Sequence, residues 1–252
     1  MTGLRPRRAA GRRRTTSSTA SVADVRPWPH DPTIAHLVVL DVASTPTVQQ
    51  IVELTRHTFS DPSIRSIRTS ALFPGPRDRF FEAGYTTCER LALLERPVDR
   101  IMPIGRSVRT TAPIRITRLG QRRLADAAAI DRAAFPEGWG NTPETLNDII
   151  GATPKQRSRV ALDGQTAVGF SITGLAGTTG YLQRLAVHPD HHRRGIGRAL
   201  VDDLLSWLQR RGASTVLVNT GIENEPALEL YRDLGFRDRR DELVVMERTR
   251  PT

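Results

Sequence analysis

The residues best suited to chemistry stand together at Arg193, Arg194, Gly195, Ile196, Gly197 and Arg198, just after an apolar run that ends at Val187. The glycines let a backbone approach a ligand closely, and the three arginines offer forked donors that match phosphate oxygens. Downstream, Leu200, Leu204, Leu205 and Leu208 recur at helical spacing, which predicts a helix to about Arg211 with Gly212 as its cap. The turn therefore opens a helix N-terminus, where unpaired N–H groups and the positive end of the dipole attract an anion. A pyrophosphate fits that description. A dinucleotide fingerprint does not, because Leu200 stands where the third glycine is needed, and no Gly-Lys-Ser/Thr phosphate loop occurs.

The longer stretch YLQRLAVHPDHHRRGIGRAL (Tyr181–Leu200) resembles motif A of the GNAT N-acetyltransferases, whose consensus is Gln/Arg-x-x-Gly-x-Gly/Ala after a strand. VLVNTGIENEPALELYRDLGF (Val216–Phe236) resembles their motif B, and the two blocks stand in the family's order and spacing. The resemblance runs from Pro113 to about Glu247. It points to the branch of ribosomal-protein N-terminal alanine acetyltransferases, including an AFPEGW segment at Ala134–Trp139. His192 replaces the Gln/Arg of motif A, leaving Arg193 and Arg194 to hold phosphate.

This resemblance implies an α/β (α+β) GNAT fold, with a mixed, mostly antiparallel central sheet flanked by helices. It implies acetyl-CoA as cosubstrate, no metal, and direct attack of a primary amine on the thioester in a ternary complex. The CoA phosphates would rest on Arg193–Arg198, and the pantetheine arm would run beside Leu185, Ala186 and Val187. A main-chain N–H near Val187 would polarise the thioester carbonyl. Asn224 matches the motif-B asparagine that meets the arm, and Tyr231 the tyrosine that protonates the departing sulfur. The two lie seven residues apart, on one helical face. Periodicity alone leaves Tyr231 equally readable as a core residue.

No general base stands out. Related enzymes carry glutamate where Asn219 and Gln183 stand here, and neither amide can accept a proton. Glu137, Glu223 and His188 remain, along with a water chain or an amine that arrives neutral. His188, before Pro189 at a corner, reads more readily as solvated. On the acceptor side Trp139, Glu137 and Asn219 are the candidate substrate residues. Trp139, between Gly138 and Gly140, is expected to be exposed, and Phe135 to be core. The acceptor is a protein N-terminal amine or a small-molecule amine. The missing glutamates also allow a different reading, a CoA-binding pseudoenzyme that reports acyl-CoA status.

Positioning such a loop requires a folded sheet, and the chain is long enough for one. It has 252 residues, 38% hydrophobic and 25% charged, with no apolar run near the ~20 residues a membrane span needs. Cys88 is the single cysteine, which rules out an intrachain disulfide and suits a reducing cytoplasm. The formal charge of +10 invites a nucleic-acid reading, but six of those charges sit at Arg5, Arg7, Arg8, Arg12, Arg13 and Arg14. Lys155 is the only lysine, so the arginine excess looks like codon bias. Nucleic acid is expected to make weak contacts with the tail at most. The protein is expected to be a monomer or homodimer with no membrane attachment.

Four segments are expected in order. Residues 1–33 read as a disordered Arg/Ser-rich tail, 34–96 as a degenerate GNAT-like half-domain, 97–112 as a linker, and 113–252 as the catalytic domain. The half-domain follows from an echo: FFEAGYTTCERLALL near residue 85 resembles YRDLGFRDRRDELVVM near residue 236. It has no counterpart to the RRGIGR turn, so a structural role is expected: covering a sheet edge, docking on the catalytic domain, or shaping the substrate mouth. Strands are predicted at 36–42, 64–72, 85–94, 114–119, 157–162, 166–173, 180–187, 214–219 and 242–247. Helices are predicted at 47–59, 77–83, 122–135, 143–151, 197–211 and 224–234. Asp163-Gly164 is the strongest turn signal.

Overall fold

The computed structural model describes residues 23–29, 31–39, 46–98 and 114–251. Most of the expected tail (1–22) and of the expected linker (99–112) lies outside them. The strands are β1 (Ala23–Trp28), β2 (Asp31–Val39), β3 (Ser66–Thr69), β4 (Thr86–Pro97), β5 (Ile114–Arg118), β6 (Lys155–Asp163), β7 (Thr166–Ala176), β8 (Thr179–Val187), β9 (Thr215–Gly221) and β10 (Arg237–Thr249). The helices are α1 (Val48–Thr58), α2 (Pro74–Glu82), α3 (Leu124–Ala134), α4 (Pro143–Gly151), α5 (Ile196–Arg210) and α6 (Glu225–Asp233). All ten strands form one sheet in the order β1-β2-β3-β10-β4-β9-β8-β7-β6-β5. Two pairings, β2–β3 and β8–β9, are parallel and the rest antiparallel. No helix among the described residues is long and apolar enough to cross a membrane.

Alternation along the strands sorts the core into two faces. Val160 and Leu162 of β6 pack with Leu124, Ala127, Ile130 and Leu146 of α3 and α4, on what we call the front. Ala161, between them, meets Ile196 and Leu200 of α5 on the back. Further along, Val216 and Val218 of β9 and Leu94 of β4 face Leu204, Trp207, Leu228 and Tyr231 on the back. Leu217, Leu91 and Leu93 face Trp139 on the front.

Local chemistry explains most element boundaries. Thr47 and Gln50 close a capping box on α1. Thr142 caps α4, with Pro143 at its start. Gly164, at φ 60°, supplies the positive dihedral of the two-residue β6–β7 turn.

The echo between the halves has a structural counterpart. Gly84 and Gly235 both adopt φ 83°, and the following N–H closes the helix end in both places, Tyr85 N to Phe80 O and Phe236 N to Tyr231 O at 3.0 Å. The order strand, strand, helix, strand, helix, strand from β1 to β4 repeats from β7 to β10. The two halves exchange their last strands. β4 pairs with β9 over seven residues, from Leu91–Gly221 to Pro97–Thr215, and β10 pairs with β3 as well as β4. The N-terminal half thus supplies an interior strand to the sheet instead of covering an edge.

Two expectations are corrected. Residues 23–29 and 31–33 are not part of a disordered tail, because β1 and β2 pair as antiparallel strands with Trp28 buried against the 138–139 loop. Pro27 and the charges around it hide this strand in the sequence. β10 is also longer than 242–247. Its first half is charged, held by ion pairs Arg232–Asp238, Arg239–Glu95 and Arg90–Glu242 that no apolar alternation announces.

Candidate functional site

β8 and β9 pair in parallel over only three residues, Thr179–Thr215 to Tyr181–Leu217, and then part. From there Leu182–Val187 and Val218–Gly221 form the arms of a fork. Beyond Tyr181 β8 pairs with no described strand but β7, so along its other edge main-chain groups face the gap without a strand partner. Opposite Ile172 and Thr173 the register slips, making Gln183 an extra, bulged residue. Its Oε1 is buried without a hydrogen-bond partner, as is Thr173 Oγ1.

The Gly/Arg loop sits where β8 ends. Gly195 is the N-cap of α5 at φ 76°, and Arg193 at φ 59° is the one non-glycine residue with positive φ among the described residues. No described residue accepts a hydrogen bond from the backbone N–H groups of Arg193 to Arg198, the pattern of a concave anion nest. His192 Nε2 bonds Val187 O at 2.9 Å and ties the loop to the strand end. The arginines divide their work. Arg194 donates to Asp163 at 2.8 Å and contacts His191 Nδ1, so its guanidinium anchors the loop to β6 and only its main chain faces the nest. Arg193 is exposed, and Arg198 half-buried on the first turn of α5. Ile196 contributes only its backbone, its side chain being core. A Cβ on Gly197 would lie 3.2 Å from Leu230 of α6, so glycine there allows the two helices to meet beside the fork.

Tyr231 is buried in the cluster that holds Leu182 and Leu185 from one arm and Val218 from the other. Its ring lies 5.5 Å from Phe236. Burial pushes its hydroxyl well above the ordinary tyrosine range, with Arg184 opposing, so the group stays protonated. Asn224 is the N-cap of α6 and is exposed, where Tyr231 is buried. Its Oδ1 accepts from Ala227 N and its Nδ2 donates to Thr220 Oγ1 at 3.1 Å, joining α6 to β9.

On the front, Trp139 is half-buried rather than exposed. Gly138 turns the loop at φ 81°, and Gly140 packs so close to Arg132 that a Cβ would clash at 2.9 Å, which folds the indole inward. Its ring meets Trp28 edge-on at 5.3 Å, and Arg68 lies over both rings. Phe135 is half-buried beneath the Arg184 guanidinium, 3.4 Å from its ring centre. Asn219 is exposed on the front of β9 opposite Leu93. Glu137 and Glu223 are exposed in loops, and His188 caps a surface turn, its Nδ1 accepting from Asp190 N.

Three residues here escape the sequence patterns. Arg184 donates to both oxygens of Asp131 and to Trp139 O, and Asp131 also accepts from Asn141 N and Nδ2. Glu89 of β4 is half-buried near Arg184 and Gly221. The only signals were an aspartate among the alanines of α3 and a glutamate at the mouth of the apolar part of β4.

Residues 124–236 match the family described as Acetyltransferase (GNAT) family. This segment belongs to the GNAT acetyltransferases. Among curated relatives, the [ribosomal protein bS18]-alanine N-acetyltransferase of Escherichia coli K12 is 38% identical over 69 residues, 27% of this chain and 47% of that one. The chain therefore spans about half the length of the curated relatives it matches. Two solved structures share the fold over nearly the whole chain. A GCN5-related N-acetyltransferase from Sphaerobacter thermophilus gives a TM-score of 0.62 at 17% identity, covering 91% of this chain and 76% of that one. A tandem GNAT protein from the clavulanic acid biosynthesis pathway gives 0.64 at 13% identity, covering 92% and 80%. The GNAT likeness in fold thus extends through the N-terminal half.

Proposed function

We propose that the protein is an acetyl-CoA-dependent N-acetyltransferase that acts on a primary amine, either a protein N-terminus or a small molecule. The observation that carries this reading is the fork between β8 and β9 opening beside an anion nest, with a buried tyrosine among residues of both arms. In this reading the backbone N–H groups of Arg193–Arg198 and the guanidinium groups of Arg193 and Arg198 hold the diphosphate of CoA. The edge groups of Leu185–Val187 pair with the pantetheine arm, and a main-chain N–H near Val187 polarises the thioester carbonyl. The amine enters from the front, attacks the carbonyl carbon, and the C–S bond breaks. Tyr231 passes its proton to the sulfur. The name of the E. coli relative supports a protein N-terminus as one acceptor class, and the substitution of amides at Gln183 and Asn219 keeps small amines in play.

Calorimetry with acetyl-CoA, followed by thiol release with peptides and small amines, tests the proposal. Saturable binding and acceptor-dependent thiol release are expected. Binding without transfer to any amine would leave a CoA-binding pseudoenzyme in its place, and no binding would remove both.

A further inference from the structure

The acetyl-transfer reading lacks a proton acceptor, and the sheet offers one from an unexpected direction. On the front of β4, Leu93 faces Asn219 and Leu91 faces Gly221 across the β4–β9 ladder. Glu89 is the next residue on that face, reached where β4 passes the end of β9. Gly221 has no side chain, and a Cβ there would lie 3.6 Å from Glu89 Oε1. The carboxylate therefore leans over the open end of the β9 arm. It is half-buried, and no hydrogen bond or salt bridge from a described residue holds it. Two cations face it, Arg184 from β8 and Arg68 from β3, but each has its own carboxylate, Asp131 and Glu247 respectively. The remaining titratable neighbour is the Cys88 thiol, itself raised to about 11 by burial.

We propose that Glu89 accepts the proton of the incoming ammonium, so that the strand exchanged from the N-terminal half completes the catalytic site. The proposal rests on the acetyltransferase reading above. The ammonium gives one proton to Glu89, directly or through one water, and Glu89 passes it to solvent. The neutral amine forms the C–N bond, the C–S bond breaks, and the second nitrogen proton ends on the CoA sulfur by way of Tyr231. One proton is released per turnover, as the stoichiometry of amide formation from an ammonium requires. Burial supports the assignment, holding the Glu89 carboxyl above its ordinary value of 4.5 against the pull of Arg184 and Arg68. A base so raised is better matched to an amine near neutral pH. The half-domain then has a chemical reason to be retained without a nucleotide loop of its own.

The test compares wild type, Glu89→Gln and Glu89→Asp in acetyl-CoA calorimetry and in thiol release against peptides and small amines across pH. Glu89→Gln should keep acetyl-CoA affinity within about twofold and lose kcat/KM on the order of 10²-fold near pH 7. It should also lose the acidic limb of the profile and recover towards high pH, where the amine arrives neutral, while Glu89→Asp restores part of the rate. An active wild type with an unaltered rate and limb in Glu89→Gln overturns the role of Glu89 and leaves the acetyltransferase reading intact. A wild type that binds acetyl-CoA yet acetylates nothing overturns both. A ¹³C-carboxyl NMR titration of the wild type needs no acceptor: Glu89 should titrate above 4.5, and a value at or below that overturns the proposal.

Discussion

Arg184 grips both carboxylate oxygens of Asp131, at 2.7 and 2.8 Å, with Asp131 fully buried. This pair joins β8 to α3 immediately in front of the fork, and Asn141 N and Nδ2 both donate to Oδ2 of the acid. Replacing Asp131 by Asn should strand the guanidinium and destabilise the protein by roughly 3–5 kcal/mol. The double variant Asp131→Leu/Arg184→Met should recover most of that loss, since removing both charges leaves neither unpaired. Urea midpoints at unchanged slope measure both effects.

Arg193 separates binding from stability. Its left-handed backbone costs about 1 kcal/mol or more that glycine would not incur. Arg193→Gly should therefore leave stability unchanged or raise it by up to about 1 kcal/mol, after the added chain entropy of glycine. The same variant should weaken acetyl-CoA binding by about tenfold or more, through loss of a charged donor. Gly195→Ala should do the opposite to stability, lowering it by about 1 kcal/mol at φ 76°. Thermal melts and calorimetry on the same samples read both.

Tyr231→Phe tests the role of a hydroxyl that no described residue bonds. The ring packs on Phe236 and would still do so, so melting and acetyl-CoA affinity should hold. Turnover should fall on the order of 10²-fold. Because burial raises the hydroxyl, the wild-type rate should show no alkaline loss from Tyr231 ionisation below the ordinary tyrosine range. Equal turnover in the variant would remove its assigned role.

His36 makes stability depend on pH. Burial pushes its imidazole down to about 4, with Arg26 adding to the shift and Asp24 opposing it; the Trp28 ring stands 5.1 Å away. Between that value and the unfolded 6.5, the unfolded chain binds the extra proton, so stability rises with pH across this window and falls on acidification. The full loss is roughly 3 kcal/mol at the 1.4 kcal/mol that each pH unit represents. His36→Gln should flatten that part of the curve, measured by denaturant midpoints from pH 7.5 to 4.

Much of the fold was legible from local rules. The helix ends at Thr47, Thr142 and Gly212 rest on side chains or dihedrals that act within a few residues, and the Gly/Arg turn is read from six consecutive positions. Polar strands were less legible. β1 and the first half of β10 carry a proline and charges that break apolar alternation, and some of their contacts lie more than a hundred residues away, such as Trp28 with Gly138 and Arg239 with Glu95.

The sequence by itself determined the Gly/Arg turn, the helix it opens and the repeat of strand–helix units, because each depends on periodicity or backbone freedom over a short span. Only the tertiary structure decided what surrounds them. It turned Arg194 onto Asp163, folded Trp139 inward against Trp28, used Asn224 as a cap, and slid β4 between β9 and β10 so that Glu89 faces the fork. Those outcomes depend on which strands pair and which face each residue takes. That is a matter of long-range register, and a residue's neighbours in sequence carry no record of it.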